Sequence, residues 1–323
     1  MAFRGAERSG NNGAMTKGPS GNPAHVSAAA RVDLHRPAGT LASPPWALEL
    51  TQGTAQWSWV SLRVLELEPG GEHELESGGE ELLVLPLTGS CEVSCDGETV
   101  VLAGRTDVFA GPSDFTYVPR DAHLTISSER GGRFALPGAL ADERLEFRRQ
   151  PSERTPVELR GAGRASRRVV NYCMAETFDA DHLLVCEVVT PSGNWSSYPP
   201  HKHDVTGPGE VPLEELYYFE VAGGPGGPGF AYQQVYGTED RPIELLARVG
   251  TGDVVLIPHG YHGPSMAPPG YDLYYLNVMA GPCGRQWLAC DDPRHAWVRG
   301  TWEGQEVDER LVTRAGDETG DPR

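Results

Sequence analysis

The sequence predicts a mainly β protein built as two tandem jelly-roll-type β-barrels. Three observations carry the prediction. The chain holds 40 glycines and 27 prolines, its apolar residues come in short β-branched or aromatic runs, and few stretches keep a 3.6-residue period. Turn signals recur every ~8–12 residues, the spacing of a sandwich or barrel. The second half also repeats the order of the first: "EELLVLPLTG" (80–89) answers to "EELYYFEVAGG" (214–224), and "DVFAGPSDFTYVPRDAH" to "GDVVLIPHGYH". At 323 residues and 39% hydrophobic content the chain is long enough for two such units.

The elements follow in order. Residues 1–35 are rich in Gly, Asn, Ser and Ala with little to bury, which predicts a disordered extension. Strands begin in "WSWVSLRVLELEPGG" (57–71), where a change of face near Leu65 or Leu67 suggests a bulge and Pro69-Gly70-Gly71 closes the run. Then come "EELLVLPLTG", "CEVSC" with the turn Asp96-Gly97, "TVVLAG", "DVFAG" and "FTYVPR", which complete a first barrel over 36–150. The polar stretch 147–170, "FRRQPSERTPVELRGAGRASRRVV", marks the boundary. Strands resume in "VVNYC" and "DHLLVCEVVTPSG", and the second barrel runs over 151–302. The charged tail 303–323 is expected to be solvated, with room for one helical turn.

Composition removes several function classes. Lys+Arg 27 against Asp+Glu 45 gives a net charge of −18, so a nucleic-acid backbone is repelled and no nucleic-acid partner is expected. No apolar run approaches the ~20 residues that span a bilayer, and the N-terminus lacks a signal-like segment, so a cytoplasmic protein without a membrane partner is expected. The six cysteines show no Cys-x-x-Cys pair and read as free thiols, mostly buried. Cys91 and Cys95 share one face of a strand, where packing is a simpler account than zinc.

The chemistry concentrates in the second half. In "SSYPPHKHDV" (196–205), strand alternation puts His201 and His203 on one face and Lys202 on the other. Glu215 opens "ELYYF", sharing a face with Tyr217 and Phe219, while Glu214 faces the other way. In "GDVVLIPHGYH", Pro258 and Gly260 direct the chain so that His262 can turn inward. Three imidazoles and one carboxylate suit a divalent metal ion, Zn or Mn above all, with Fe, Co or Ni also compatible, and leave coordination places for substrate oxygens.

Residues 193–223 and 252–262 resemble the two cupin motifs, and "SSYPPHKHD", "EELYYFEV", "GDVVLIPHGYH" and "RGAGRASRRVVN" together resemble the 5-deoxy-glucuronate isomerase family of bacterial inositol catabolism. The resemblance implies a bicupin whose metal ligands fall on His201, His203, Glu215 and His262. It also implies an aldose–ketose isomerase, with a small sugar-acid substrate, that converts 5-deoxy-D-glucuronate to 2-deoxy-5-keto-D-gluconate. A homo-oligomer stays open. Glu81, His123 and His73 stand at matching places in the first barrel, but "GGEHELESGG" lacks His-x-His, so that barrel is expected to have lost its metal.

A base is needed to carry a proton between C2 and C1, unless a hydride shift replaces it. Tyr232 is one candidate, on a face of "FAYQQVY" shared with Phe230, Gln234 and Tyr236 that either lines the barrel or is an aromatic packing stripe. His259 and Tyr275 are the others, and Tyr275 also suits substrate binding. The implied substrate carboxylate calls for a guanidinium fork, for which Arg167 and Arg285 are the candidates. Two other functions use the same ligand set: a cupin dioxygenase and a non-catalytic sugar-acid-binding cupin.

Overall fold

Many strands of this chain are apolar on both faces, and each face has its own core to enter. On the strand Val60–Leu67, Val60, Leu62 and Val64 join a cluster shared by both barrels, while Leu65 and Leu67 point into the first barrel. On Glu214–Val221, Leu216 and Tyr218 enter the shared cluster, while Tyr217, Phe219 and Val221 fill the second barrel. The expected bulge lies on the neighbouring strand, between Trp46 and Leu48.

The computed structural model describes residues 33–316 and arranges them in three antiparallel sheets. A nine-stranded sheet curls into the first barrel around Glu80–Cys95, whose 16 residues reach into several ladders. The second barrel pairs two sheets. One has seven strands: His35–Arg36, Val254–Ile257, Glu214–Val221, Leu273–Ala280, Leu184–Thr190, Arg167–Cys173 and Val157–Arg160, in that spatial order. The other has six and carries His201–Lys202 beside Tyr261–Met266. No helix among the described residues is long and apolar enough to cross a membrane.

Two boundaries differ from expectation. Most of the N-terminal extension, residues 1–32, lies outside the described residues, but His35–Arg36 adds a strand to the second barrel by pairing with Val254 and Val255. Asp253 fixes it, accepting from the backbone N–H of Ala38 and contacting His35 Nε2, each at 2.8 Å. The tail is not simply solvated. Asp308 accepts from Asn194 Nδ2 at 3.0 Å, Ser166 Oγ accepts from the Asp308 N–H, and buried Leu311 anchors the helix Glu309–Gly316.

The barrels are joined by reciprocal carboxylates. Glu81 of the first, fully buried, accepts from Tyr117 Oη and from the backbone N–H groups of Asp181, His182 and Leu183 in the second, at 2.6–2.8 Å. Glu214 of the second accepts from Ser58, Trp59 and Val60 in the first, at 2.7–3.3 Å. Between them, buried Arg105 holds Glu187 with two bonds of 3.0 and 2.9 Å.

This symmetry corrects the alignment of the repeats. Leu82 pairs with Val118, just before Pro119, whereas Glu215 pairs with Ile257, just before Pro258. Glu81 therefore corresponds to Glu214, and the first barrel carries Leu82 where the second carries Glu215. A one-residue shift moves every side chain to the opposite face, so letter-by-letter matching of "EEL" misplaces the acid. His123 is correspondingly exposed and contacts Glu76, and His73 packs edge-on against Trp46. All six cysteines are free, but only Cys91, Cys95 and Cys173 are fully buried.

Candidate metal centre

Alternation along Glu214–Val221 turns Glu215 into the second barrel, as its sequence predicts, and two other strands bring rings to meet it. His201 and His262 lie directly opposite one another across a ladder. The turn before His262 is set by Gly260, at φ +90°, where a Cβ would lie 2.7 Å from the Tyr236 carbonyl oxygen. On the other face of the His201–His203 segment, Lys202 Nζ bonds Asp204 and Glu210 at 2.7–2.9 Å, while Asp204 accepts from the Gly260 N–H at 2.8 Å. Lys202 thus ties the segment carrying two rings to the turn before the third, rather than lying in solvent.

The ligand atoms of His203, Glu215 and His262 all lie within 4.8 Å of one another, and all three side chains are buried. Glu215 Oε2 stands 2.7 Å from His203 Nε2 and 2.8 Å from His262 Nε2. The His201 ring adjoins the group, 4.5 Å from that of His262 between centroids. Asn277, which sequence reasoning missed, donates to Glu215 Oε1 and holds the carboxylate in place.

The donor set fits a cation. His201 and His262 each donate Nδ1–H to a nearby carbonyl, of Pro199 and Gly260, both at 3.3 Å. A neutral ring so anchored presents its Nε2 lone pair, and at His262 that lone pair meets a carboxylate oxygen unless positive charge stands between. Burial pushes the Glu215 carboxyl up, but His262 and His203 outweigh it and hold the group well below the usual carboxylate range. Burial, with His262 beside it, drives His201 well below the usual imidazole value, favouring the neutral, ligating form.

The centre opens on a cavity of about 430 Å³, lined on the sheet side by Glu215, Tyr217, Tyr275, Asn277, Cys186 and Arg167. Tyr275 stacks on Tyr217 at 4.7 Å and bonds Ser196 Oγ and Ser197 Oγ at 3.1 and 3.3 Å. Burial raises its phenol, so Tyr275 remains a proton donor. Three candidates lie elsewhere. Tyr232 is 37% exposed on the outer face, because Ala231, Gln233 and Val235 take the inner one. His259 sits on the turn before His262, beside Asp204 and Arg241 and outside the cavity lining. Arg285 spends its donors on the carbonyls of Leu183, Phe178 and Cys173, where it staples a loop.

A two-barrel β fold with a buried His/Glu cluster in one barrel defines the bicupin class. Among solved structures, an oxalate decarboxylase of Lactobacillus farciminis shares the fold at TM-score 0.55 and 13% identity, over 85% of this chain and 91% of that one. An IolB-like protein of Salmonella typhimurium LT2 matches at TM-score 0.76 and 32% identity, over 82% of this chain and 99% of that one. The 5-deoxy-glucuronate isomerase of Geobacillus kaustophilus is 42% identical, over 78% of this chain and 90% of its own. That of Bacillus subtilis strain 168 is 39% identical, over 77% and 91%. The chain belongs to the KduI/IolB family, whose model matches residues 34–298, and it is an isomerase.

Proposed function

We propose that this isomerase acts on 5-deoxy-D-glucuronate and moves its carbonyl from C1 to C2, yielding 2-deoxy-5-keto-D-gluconate in inositol catabolism. The observation that carries the reading is the convergence of His203, Glu215 and His262 beside His201, with Glu215 and His201 lining a sugar-sized cavity, in a chain whose relatives bear that enzyme's name. The second barrel, 151–302, carries the chemistry. The first, 36–150, serves packing, in keeping with Leu82 at the place of Glu215.

His201, His203, Glu215 and His262 would hold a divalent ion, zinc or manganese. Such an ion, when bound, supplies Lewis acidity that polarises the aldehyde and acidifies the neighbouring hydroxyl. The chain's own groups set the rest. Asn277 keeps the Glu215 carboxylate turned toward the rings. The Nδ1–H bonds of His201 and His262 fix which nitrogen each ring presents. Tyr275, protonated, gives its one O–H to Ser196 Oγ and stacks on Tyr217, so it fixes the cavity wall beside the centre.

The test is elemental analysis together with an NMR assay on 5-deoxy-glucuronate, for the wild type and His203→Ala. The variant should stay folded and lose both metal and turnover. Full turnover by metal-free protein would refute the reading, and deuterium from solvent at C6 of the product, the former aldehyde carbon, would distinguish proton transfer from a hydride shift.

A further inference from the structure

The segment "RGAGRASRRVVN" (160–171) lines the cavity through Arg160, Arg167, Val169 and Asn171. We infer that it builds a carboxylate-binding pole, in which Arg167 is the anchor and Arg160 and Arg299 flank it, and that this pole selects sugar acids over neutral sugars. The inference rests on the isomerase reading above and names how that enzyme chooses its substrate.

Arg167 is the unusual member. Its residue is 6% exposed, yet it makes no ion pair among the described residues. By contrast, buried Arg105 grips Glu187, and half-buried Arg285 spends its donors on carbonyls. Arg167 gives one bond, Nη1–H to the Ala165 carbonyl at 3.1 Å, and lies 5.8 Å from the Trp302 ring centre. A buried guanidinium without a counter-ion is costly, so a site that keeps one has a use for it.

The backbone is shaped to hold it. Gly161 has φ +78°, and a Cβ there would stand 2.7 Å from Arg167 Nη1 and 2.2 Å from the Ala165 oxygen that receives its bond. The turn Gly163–Ala165 brings that oxygen into place.

The surroundings add charge. Arg160 faces Arg167 directly across the ladder, an arrangement that repels unless an anion joins it. Arg160 is paired with Glu158 at 2.7 Å and Arg299 with Asp291 at 2.7 Å. Three guanidiniums against two carboxylates leave one positive charge at this end of the cavity, in a chain whose net charge is −18. One carboxylate neutralises it, and the guanidinium fork matches it bidentately. From the Glu215 strand to the Arg167 strand is three ladder steps, roughly 14 Å along the sheet. Side chains reaching inward from both ends shorten that span toward the length of a six-carbon acid, leaving its aldehyde end at the His/Glu cluster.

Titration calorimetry of metal-loaded protein tests the pole with D-glucuronate, D-glucose and acetate as probes. The wild type should bind glucuronate at least tenfold more tightly than glucose, and acetate should compete. Arg167→Met should weaken glucuronate binding by about 10–100-fold and leave metal content unchanged, with Arg167→Lys in between. Arg299→Gln, at the half-exposed rim, should lose severalfold and decides the matter together with acetate competition if Arg167→Met does not fold. Equal binding of glucose and glucuronate by the wild type, or undiminished glucuronate binding by folded Arg167→Met, overturns the inference. Arginine-dependent binding without any isomerisation would instead sink the isomerase reading and leave the pole standing.

Discussion

Replacing Glu81 by Gln should weaken the joint between the barrels without touching the chemistry. In the native protein Oε1 accepts from the His182 and Leu183 N–H groups, and Oε2 from the Asp181 N–H and Tyr117 Oη, at 2.6–2.8 Å. An amide keeps one oxygen and turns an NH₂ toward the other two donors, so two buried donors lose their acceptor. Each costs about 1–3 kcal/mol, which makes the loss ~2–6 kcal/mol. For a chain of this size that lowers the melting temperature by roughly 5–15 °C. Thermal unfolding followed by circular dichroism reads the shift, and amide exchange at 181–183 should rise in parallel. Turnover at 25 °C should match the wild type, since Glu81 is not among the cavity's lining residues. A melting temperature within a degree of the wild type would show that the joint does not depend on this carboxylate.

Three further outcomes are expected. Asn277→Ala frees the Glu215 carboxylate and should lower metal affinity by about 10–100-fold in a chelator titration with little change in fold; unchanged affinity would remove Asn277 from the site. Burial raises the Asp253 carboxyl, but bonds from His35, Ala38 and Gly250 outweigh it and hold it below its ordinary value. Its stabilising contribution is therefore complete above the unfolded value near 3.8 and disappears as pH falls through the lower folded one. Proteolysis around residues 34–38 should accelerate below about pH 4 in the wild type and be fast at neutral pH in Asp253→Ala; a pH-independent rate would contradict this. Tyr232→Phe should retain full turnover, because the side chain lies on the outer face; a large loss would restore it as a catalytic candidate.

The parts of the site that obey local rules were legible in the chain. Period-two alternation placed Glu215 with Tyr217 and Phe219, and turned Glu214 the other way, because a strand in a ladder has no freedom to do otherwise. The same rule failed at Tyr232, since alternation says which residues share a face and not which face is inside. Gln233, which reads as outward, is buried and bonded to Ser265. The offset between Glu81 and Glu215 was hidden because register belongs to the partner strands, Phe115–Val118 and Val254–Ile257, and not to the matching letters. Arg285 looked like a carboxylate fork, but its partners are carbonyls more than 100 residues away in sequence. Asn277, Arg160 and Arg299 drew no notice because an amide in an apolar strand, or an arginine in a polar stretch, has no local signature. Only the closed sheet aims them at one space.

The two-residue strand at His35–Arg36 bears on how this protein can be cut. It covers the outer side of Val254–Ile257, so a fragment beginning at residue 151 would offer that row of backbone groups bare, with Val254, Val255, Leu256 and Ile257 behind it. Unpaired rows of this kind recruit other chains. Expressed alone, the second-barrel half should precipitate or self-associate, through that edge and through the apolar face of Leu216, Tyr218 and Val254 that the first barrel covers.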